Sequence, residues 1–186
     1  MPRVLVPIAK GFEEIEAVSL IDVMRRAGIE VLVASLNDHV DVEGANGISI
    51  KTDLHVKTVK ANELDMIVLP GGWDGTYALA DDVNVQNLLK KMDAQGQNIG
   101  AICAAPFALN KAGVLKPNFT CYPSAEEQID IEGYQADKAQ VVQEDNIMTS
   151  RGPGTSICFG LQIVKKLVGE ETYLALKEGL LANYCE

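Results

Sequence analysis

A cysteine stands where a short apolar strand meets a helix in this sequence. Cys103 follows the β-prone run 99–102 and precedes a helical segment, with small alanines on both sides. A side chain at such an elbow is held clear of the sheet, and the unpaired N–H groups of a helix N-terminus favour thiolate over thiol. The pattern predicts a nucleophilic cysteine; a cysteine buried for structural reasons is the simpler alternative.

Main-chain N–H groups for this nucleophile are predicted in two turns. Pro70-Gly71-Gly72 follows a buried apolar run, and glycines let backbone N–H groups approach a ligand closely. The N–H groups of Gly72 and Ala104 together would form an oxyanion pocket, with Gly71 as a neighbour. An ordinary loop is the alternative interpretation of the Pro-Gly-Gly sequence.

Three acids share the first turn of the first predicted helix: Glu13, Glu14 and Glu16. Solvated carboxylates that complement the helix macrodipole are the simplest interpretation. Glu16 differs because it precedes Leu20 by four residues and so leans toward the apolar stripe of the helix. Burial would raise the pKa of Glu16, which predicts a general acid/base or a hydrogen-bond donor to a thiolate.

Residues that other chemistries need are scarce. The two histidines, His39 and His55, fall in a small predicted β excursion and are expected at the surface, so a Cys-His-Asp triad is not supported. The chain lacks G-x-G-x-x-G and G-x-x-x-x-G-K-[ST], which argues against dinucleotide oxidoreductases and P-loop enzymes. The sequence 152–155 before a helix is compatible with an anion site, but an ordinary helix cap at Thr155 is the simpler interpretation.

The cysteines are expected to be free thiols in a reducing compartment. Cys103, Cys121, Cys158 and Cys185 include no C-x-x-C pair, so neither a zinc site nor a thioredoxin-like dithiol is supported and no metal is expected. Cys158 is predicted to lie in a helix and Cys185 in a mobile tail.

Composition restricts the class of protein. The 186 residues suit one domain, residues 1–186, and the 47% hydrophobic and 23% charged content is that of a globular protein. A net charge of −10 disfavours general nucleic-acid binding. No apolar run approaches the roughly 18 residues of a membrane span, and the first residues lack the features of a signal peptide. We therefore expect a cytoplasmic protein with no membrane partner.

Strands and helices alternate along the chain. Strands are predicted at 4–8, 29–34, 66–69, 99–102, 119–122, 139–142 and 146–149, and helices at 13–27, 83–92, 104–112, 155–168 and 170–181. This alternation predicts an α/β fold with a mostly parallel sheet and helices on both faces. The loops 10–16, 70–75 and 103–106 would then meet beyond the carboxyl ends of the strands.

Four segments together resemble one family. They are AKGFEEIE at 9–16, VLPGG at 68–72, AICAAP at 101–106 and TSRGPGT at 149–155. In order and spacing they resemble the ThiJ/PfpI superfamily, in the YajL-like branch close to the human parkinsonism-linked protein deglycase. The resemblance implies a flavodoxin-like three-layer sandwich and a homodimer. It also implies that Cys103 is the nucleophile and oxidation-prone thiol, with a protonated Glu16 beside it and Gly72 and Ala104 as N–H donors.

The resemblance further implies a reaction that needs no metal or organic cofactor. A thiolate would attack an aldehyde carbon of glyoxal or methylglyoxal, or of their adducts on proteins and nucleotides, and water would release a hydroxy acid. This is the activity of a deglycase (a hydrolase) or a glyoxalase III-type lyase in carbonyl and oxidative stress. A redox-sensing stress chaperone is the alternative. A thiamine or thiazole pathway role, a label the family has carried, has no support in the residues.

One position departs from some members of the family. They place a histidine before the proline of the segment that matches Cys121-Tyr122-Pro123, where this chain has Tyr122. A phenol does not accept a proton near neutral pH as an imidazole does. Protease activity that depends on a Cys-His pair is therefore not expected.

Overall fold

A computed structural model describes residues 1–38 and 40–186 of the chain. The strands in these residues are β1 (Arg3–Ile8), β2 (Glu30–Ser35), β3 (Asp41–Glu43), β4 (Ser49–Lys51), β5 (Leu54–His55), β6 (Met66–Leu69), β7 (Asn98–Ile102), β8 (Val141–Glu144) and β9 (Ile147–Ser150). The α-helices are α1 (Glu14–Arg26), α2 (Trp73–Asp81), α3 (Val83–Ala94), α4 (Pro106–Ala112), α5 (Ser156–Leu167) and α6 (Glu170–Gly179). Short 3₁₀ turns occupy Val56–Thr58, Ala61–Glu63, Ala125–Gln128 and Pro153–Thr155.

The main sheet has seven strands in the order β5-β2-β1-β6-β7-β9-β8. All neighbours are parallel except β8 and β9, and β3 pairs with β4 in a separate hairpin. The chain leaves β1 toward β2 on one side and later returns to β6 on the other. The carboxyl ends of β1 and β6 therefore form the switch point at which open α/β sheets bind ligands.

Each central strand is buried on both faces, which explains its continuous apolar sequence. In β1, Val4 and Val6 face a core shared with α1 and α5, while Leu5 faces a second core under α2, α3 and α4. The same alternation continues in β6, where Val68 joins the first core and Ile67 the second. The predicted three-layer α/β sandwich with a mostly parallel sheet is confirmed.

The strand predicted at 119–122 is absent. Phe119 makes only an isolated bridge to Tyr134, and Thr120 is held by side-chain bonds to Thr149 and Ala136. The physical reason is that both edges of β9, the strand to which Thr120 is bonded, are already occupied by β7 and β8, so this segment cannot pair with β9 as a strand. The sequence analysis also missed α2, which begins directly after the Gly-Gly turn.

The prediction of four free thiols is wrong. Cys158 and Cys185 form a disulfide, and only Cys103 and Cys121 are free. Because α6 returns along α5, it brings Cys185 back onto Cys158, and Cys185 is buried rather than in a mobile tail.

The structure describes one of the two histidines. His39 lies outside the described residues. His55 ends β5 at the sheet edge, where it is half-buried and its Nδ1 accepts a hydrogen bond from the N–H of Lys57 at 3.1 Å. Among the described helices, none combines the length and the apolar character needed to cross a bilayer.

Candidate active site

Main-chain hydrogen bonds join the segments that surround Cys103. The N–H of Glu13 donates to the carbonyl of Gly71 at 2.9 Å, which ties the loop after β1 to the loop after β6. The N–H of Cys103 donates to the carbonyl of Ser150 at 3.0 Å, and the carbonyl of Cys103 accepts from the N–H of Tyr122 at 2.9 Å. The loops predicted to meet at the carboxyl edge of the sheet therefore do meet there.

Cys103 occupies a strained elbow, as its sequence context predicted. Its φ is +64°, in the left-handed region that side chains other than glycine seldom adopt. Helix α4 begins only at Pro106, because Ala104 and Ala105 form a tight turn before it. In this turn the N–H of Ala105 donates to the carbonyl of Ile102. Cys103 as a whole residue is 8% exposed, so it lies close to the protein surface.

Two main-chain N–H groups favour the thiolate form of Cys103. They belong to Gly72 and Ala104, the two residues predicted as oxyanion donors, and both lower the pKa of the thiol. Gly72 has a φ of +86°, and a Cβ there would lie 2.3 Å from the carbonyl oxygen of Gly11. Only glycine fits this turn, and the turn directs its N–H toward the sulfur.

Glu16 lies fully buried beside the cysteine. Its Oε2 accepts a hydrogen bond from the N–H of Gly71 at 2.8 Å, whereas its Oε1 makes no well-formed hydrogen bond within the described residues. Burial raises the pKa of Glu16 to about 7, against the opposing effects of the Gly71 N–H and the Cys103 thiol; the charge of Glu13 adds to the rise. Near neutral pH this carboxyl therefore exchanges its proton readily.

Glu16 and Cys103 can lie close together because Gly71, which is next to both, has no side chain. A Cβ on Gly71 would lie 2.6 Å from the Cβ of Cys103 and 2.7 Å from Oε2 of Glu16. Any larger residue would separate the two groups or displace them.

The electrostatics of the thiol differ from the expectation of an easily ionised cysteine. Burial raises the pKa of Cys103, and the negative charge of Glu16 raises it further, more than Gly72 and Ala104 lower it. When Glu16 holds a proton, its charge no longer opposes thiolate formation. The two groups therefore compete for one proton and act as a pair.

Tyr122 lies next to this pair rather than in it. Its side chain is 46% exposed, and its ring packs over Gly152, where a Cβ would lie 3.1 Å from Cδ2 of the ring. A cavity of about 250 Å³ opens here, lined by Tyr122, Pro123, Arg151, Gly152, Pro153, Gly154 and Thr155. The hydroxyl of Thr155 is engaged with Gly152 and Ser150, so it does not cap α5 as the sequence predicted.

The sequence analysis missed one buried acid. Glu14 is 4% exposed, not solvated, and it accepts hydrogen bonds from the N–H of Asn46 at 2.5 Å, from Nδ2 of Asn46 at 2.9 Å and from the N–H of Ile48 at 3.4 Å. Glu14 therefore fastens the β3-β4 hairpin to the start of α1. No local signal could reveal a partner 32 residues away.

No group of three His, Cys, Asp or Glu side chains in the described parts of the chain is placed to hold a metal ion.

Comparison with known proteins agrees with this geometry. The DJ-1/PfpI family model matches residues 2–166. Protein dj-1beta of Drosophila melanogaster is 40% identical over 181 residues, covering 97% of both chains, and the glutathione-independent glyoxalase DJR-1.2 of Caenorhabditis elegans is 38% identical, covering 92% of this chain and 91% of its own. The structure of oxidized Toxoplasma gondii DJ-1 superposes with a TM-score of 0.90 at 38% identity, covering 97% of this chain and 98% of its own. The chain belongs to the DJ-1/PfpI family.

Proposed function

We propose that this chain is a cofactor-independent enzyme that converts small dicarbonyl compounds to hydroxy acids on Cys103. The observation that carries the proposal is a thiol that receives two main-chain N–H groups and lies against a buried carboxyl whose pKa is about 7. A relative of similar length bears the name glutathione-independent glyoxalase, which supports the same reaction class.

The reaction begins with proton transfer within the pair. Glu16 takes the thiol proton as the sulfur of Cys103 attacks the aldehyde carbon of methylglyoxal. It returns this proton to the alkoxide oxygen, which gives a hemithioacetal and leaves Glu16 as a carboxylate. The N–H groups of Gly72 and Ala104 stabilise the oxyanion that forms beside the sulfur. Because these donors are main-chain groups in tight turns, they need no reorganisation when charge develops.

Glu16 then moves the proton that changes the oxidation level of the two carbons. A proton leaves the former aldehyde carbon and another is returned to the former ketone carbon, so the hemithioacetal becomes a thioester of lactate. Water cleaves the thioester, regenerates the thiol and releases lactate. The sum is methylglyoxal plus water to lactic acid, with no external oxidant or reductant. In the deglycase form of the proposal, the sulfur attacks the carbinol carbon of an aminocarbinol adduct on a protein or nucleotide. The C–N bond breaks, the amine leaves with the proton that Glu16 took from the thiol, and the same hemithioacetal forms.

Replacing the sulfur tests this assignment directly. Cys103→Ser should lower lactate formation from methylglyoxal by about 10³-fold or more, because a hydroxyl is far less acidic and less nucleophilic than a thiol. Cys121→Ser, the other free cysteine, is the matched control and should retain activity within a few fold. Enzymatic lactate assays and melting temperatures on both variants separate chemistry from folding. Full activity in Cys103→Ser would refute the proposal.

A redox sensor is the second candidate, because the same two N–H groups and a protonated acid can stabilise an oxidised sulfur. The described relative from Toxoplasma gondii was characterised in an oxidized form. Mass spectrometry after mild peroxide should find Cys103 oxidised before Cys121; the reverse order would exclude the sensor.

We also propose a homodimer formed through α1 and the β3-β4 hairpin. Ile15, Val18 and Ile48 are 58%, 48% and 57% exposed, and the bonds from Glu14 to the hairpin hold this apolar surface together. Val18→Asp should convert a dimer into a monomer in sedimentation experiments, because a buried unpaired charge is costly at an interface. A monomeric parent protein would contradict this proposal.

A further inference from the structure

The last described residues are fastened to the body of the protein by a covalent bond and by hydrogen bonds. In this tail segment, residues 182–186, Ala182 is fully buried and Cys185 is 3% exposed and bonded to Cys158 of α5. The main-chain oxygen of Glu186 accepts from Nε2 of Gln162 at 2.8 Å and from the hydroxyl of Tyr173 at 3.1 Å.

Gln140 connects the tail segment to the strand that supports the active site. Its Nε2 donates to the carbonyl of Tyr184 at 2.9 Å, and its Oε1 accepts from the N–H of Glu186 at 3.2 Å. The carbonyl of Gln140 accepts from the hydroxyl of Ser150 at 2.7 Å. Because the carbonyl of Ser150 accepts the N–H of Cys103, a continuous series of hydrogen bonds runs from the tail segment to the strained elbow.

We propose that the Cys158–Cys185 disulfide is a reversible redox clamp that holds the tail segment on Gln140 and thereby supports the main chain at Cys103. This inference is independent of the reaction proposed for Cys103. It assigns a second redox site to a pair of cysteines that the chemistry at Cys103 does not use.

The clamp opens by thiol–disulfide exchange with a dithiol reductant. One thiolate of the reductant attacks a sulfur of the disulfide, the Cys158–Cys185 bond breaks, and a mixed disulfide forms. The second thiol of the reductant then attacks the mixed disulfide and releases the protein thiol. In total, two electrons pass to the protein, Cys158 and Cys185 become thiols, and the reductant becomes a disulfide. Oxidation by a disulfide of the same class reverses each step.

The Cys158–Cys185 disulfide lies beside a cavity from which a reductant can reach it. Cys158 is only 2% exposed, but it borders a cavity of about 220 Å³ that Gln140, Met148, Gln162 and Glu186 also line. A small movement of the tail segment away from α5 would widen this cavity toward solvent. Once the bond is cut, the tail segment depends on the bonds of Gln140, Gln162 and Tyr173 and on its own apolar burial.

The first experiment asks whether the bond is reversible in the native protein. The wild-type chain is equilibrated in buffers of increasing dithiothreitol-to-oxidised-dithiothreitol ratio, then denatured, and its thiols are labelled and counted by mass spectrometry. We expect a single two-electron transition from two labels to four, because Cys103 and Cys121 are free in both states. Four labels at every ratio, or two labels at every ratio, would overturn the proposal.

The second experiment asks whether the clamp reaches Cys103. Amide hydrogen exchange is compared between oxidised and reduced wild type. Exchange in residues 182–186 should accelerate by about several hundredfold on reduction, the order expected when a cross-link between residues 27 apart is removed. Exchange at the Cys103 amide should accelerate about threefold or more. Cys185→Ser should behave as reduced protein with or without reductant; if it does not fold, Cys158→Ser takes its place.

Gln140→Ala separates the clamp from its connection to the active site. In this variant the tail segment should still respond to reduction, while the Cys103 amide should no longer respond, as a thermodynamic cycle requires for a coupling that runs through Gln140. Identical exchange of the tail segment in oxidised and reduced wild type would exclude the clamp. An unchanged Cys103 amide in wild type would exclude its coupling to the active site.

Discussion

Two glutamates that lie two residues apart in the first turn of α1, Glu14 and Glu16, are both shielded from solvent, yet their environments have opposite effects on their pKa. Glu16 has one N–H donor on its carboxyl and one oxygen without a well-formed bond, and its pKa rises to about 7. Glu14 lies nearer the surface under the hairpin; burial acts to raise its pKa, but the donors of Asn46 and Ile48 outweigh it and hold the pKa below its usual value.

The comparison shows that loss of solvent contact does not by itself make an acid functional. What separates the two residues is the number of donors that replace water and the depth of the carboxyl in the protein. Glu14 remains charged and fastens a hairpin. Glu16 is left short of donors beside a thiol, and this shortage makes it able to exchange a proton near neutral pH.

Among the tests of this difference between Glu14 and Glu16, the largest effect is expected on catalysis. Glu16→Gln keeps the shape and the bond to Gly71 but cannot exchange a proton, so kcat for lactate formation should fall by about 10²- to 10⁴-fold, the usual worth of general acid/base catalysis. Glu14→Gln is the matched control on the same turn and should change kcat by no more than a few fold. Equal losses in the two variants would mean that Glu16 has only a structural role.

The sequence was sufficient to predict Glu16 but not Glu14. The apolar periodicity of α1 showed that Glu16 leans inward, and the order of strands and turns placed Cys103, Gly72 and Ala104 at one edge of the sheet. The burial of Glu14 depends on a hairpin far along the chain, and the Cys158–Cys185 bond depends on how α6 returns along α5. The irregular segment at 119–122 likewise depends on which strand edges are already paired. These three features arise from tertiary contacts, which periodicity within one segment does not report.

The second effect concerns stability and pH. The folded protein binds the Glu16 proton with a pKa of about 7, whereas the unfolded chain releases it near 4.5. The stability that Glu16 contributes is therefore complete below about pH 4.5 and is lost as pH rises through 7, by up to about 3 kcal/mol. The difference in unfolding free energy between wild type and Glu16→Gln should fall accordingly between pH 5 and 8 in urea titrations.

Glu14 provides the opposite sign and thus a control for that measurement. Its lowered pKa contributes stability that is present above the unfolded pKa and is lost only as pH falls through the folded value. The difference between wild type and Glu14→Gln should therefore stay flat from pH 5 to 8. A flat curve for Glu16→Gln as well would show that Glu16 is ionised throughout and would remove the basis of the proton-transfer proposal.

The smallest effect should come from weakening the environment of Glu14 alone. Asn46→Ala removes the Nδ2 donor at 2.9 Å but keeps the main-chain donor, so we expect a loss of about 1.5–3 kcal/mol in the free energy of unfolding at pH 7, as for other hydrogen bonds to a charged group. Lactate formation should not change, because Asn46 makes no bond to Glu16 or Cys103. Asn62→Ala, at another exposed amide, should cost less than Asn46→Ala in the same urea titration. If Asn46→Ala instead lowered kcat, the hairpin would belong to the active site, and the division between a fastening acid and a proton-exchanging acid would fail.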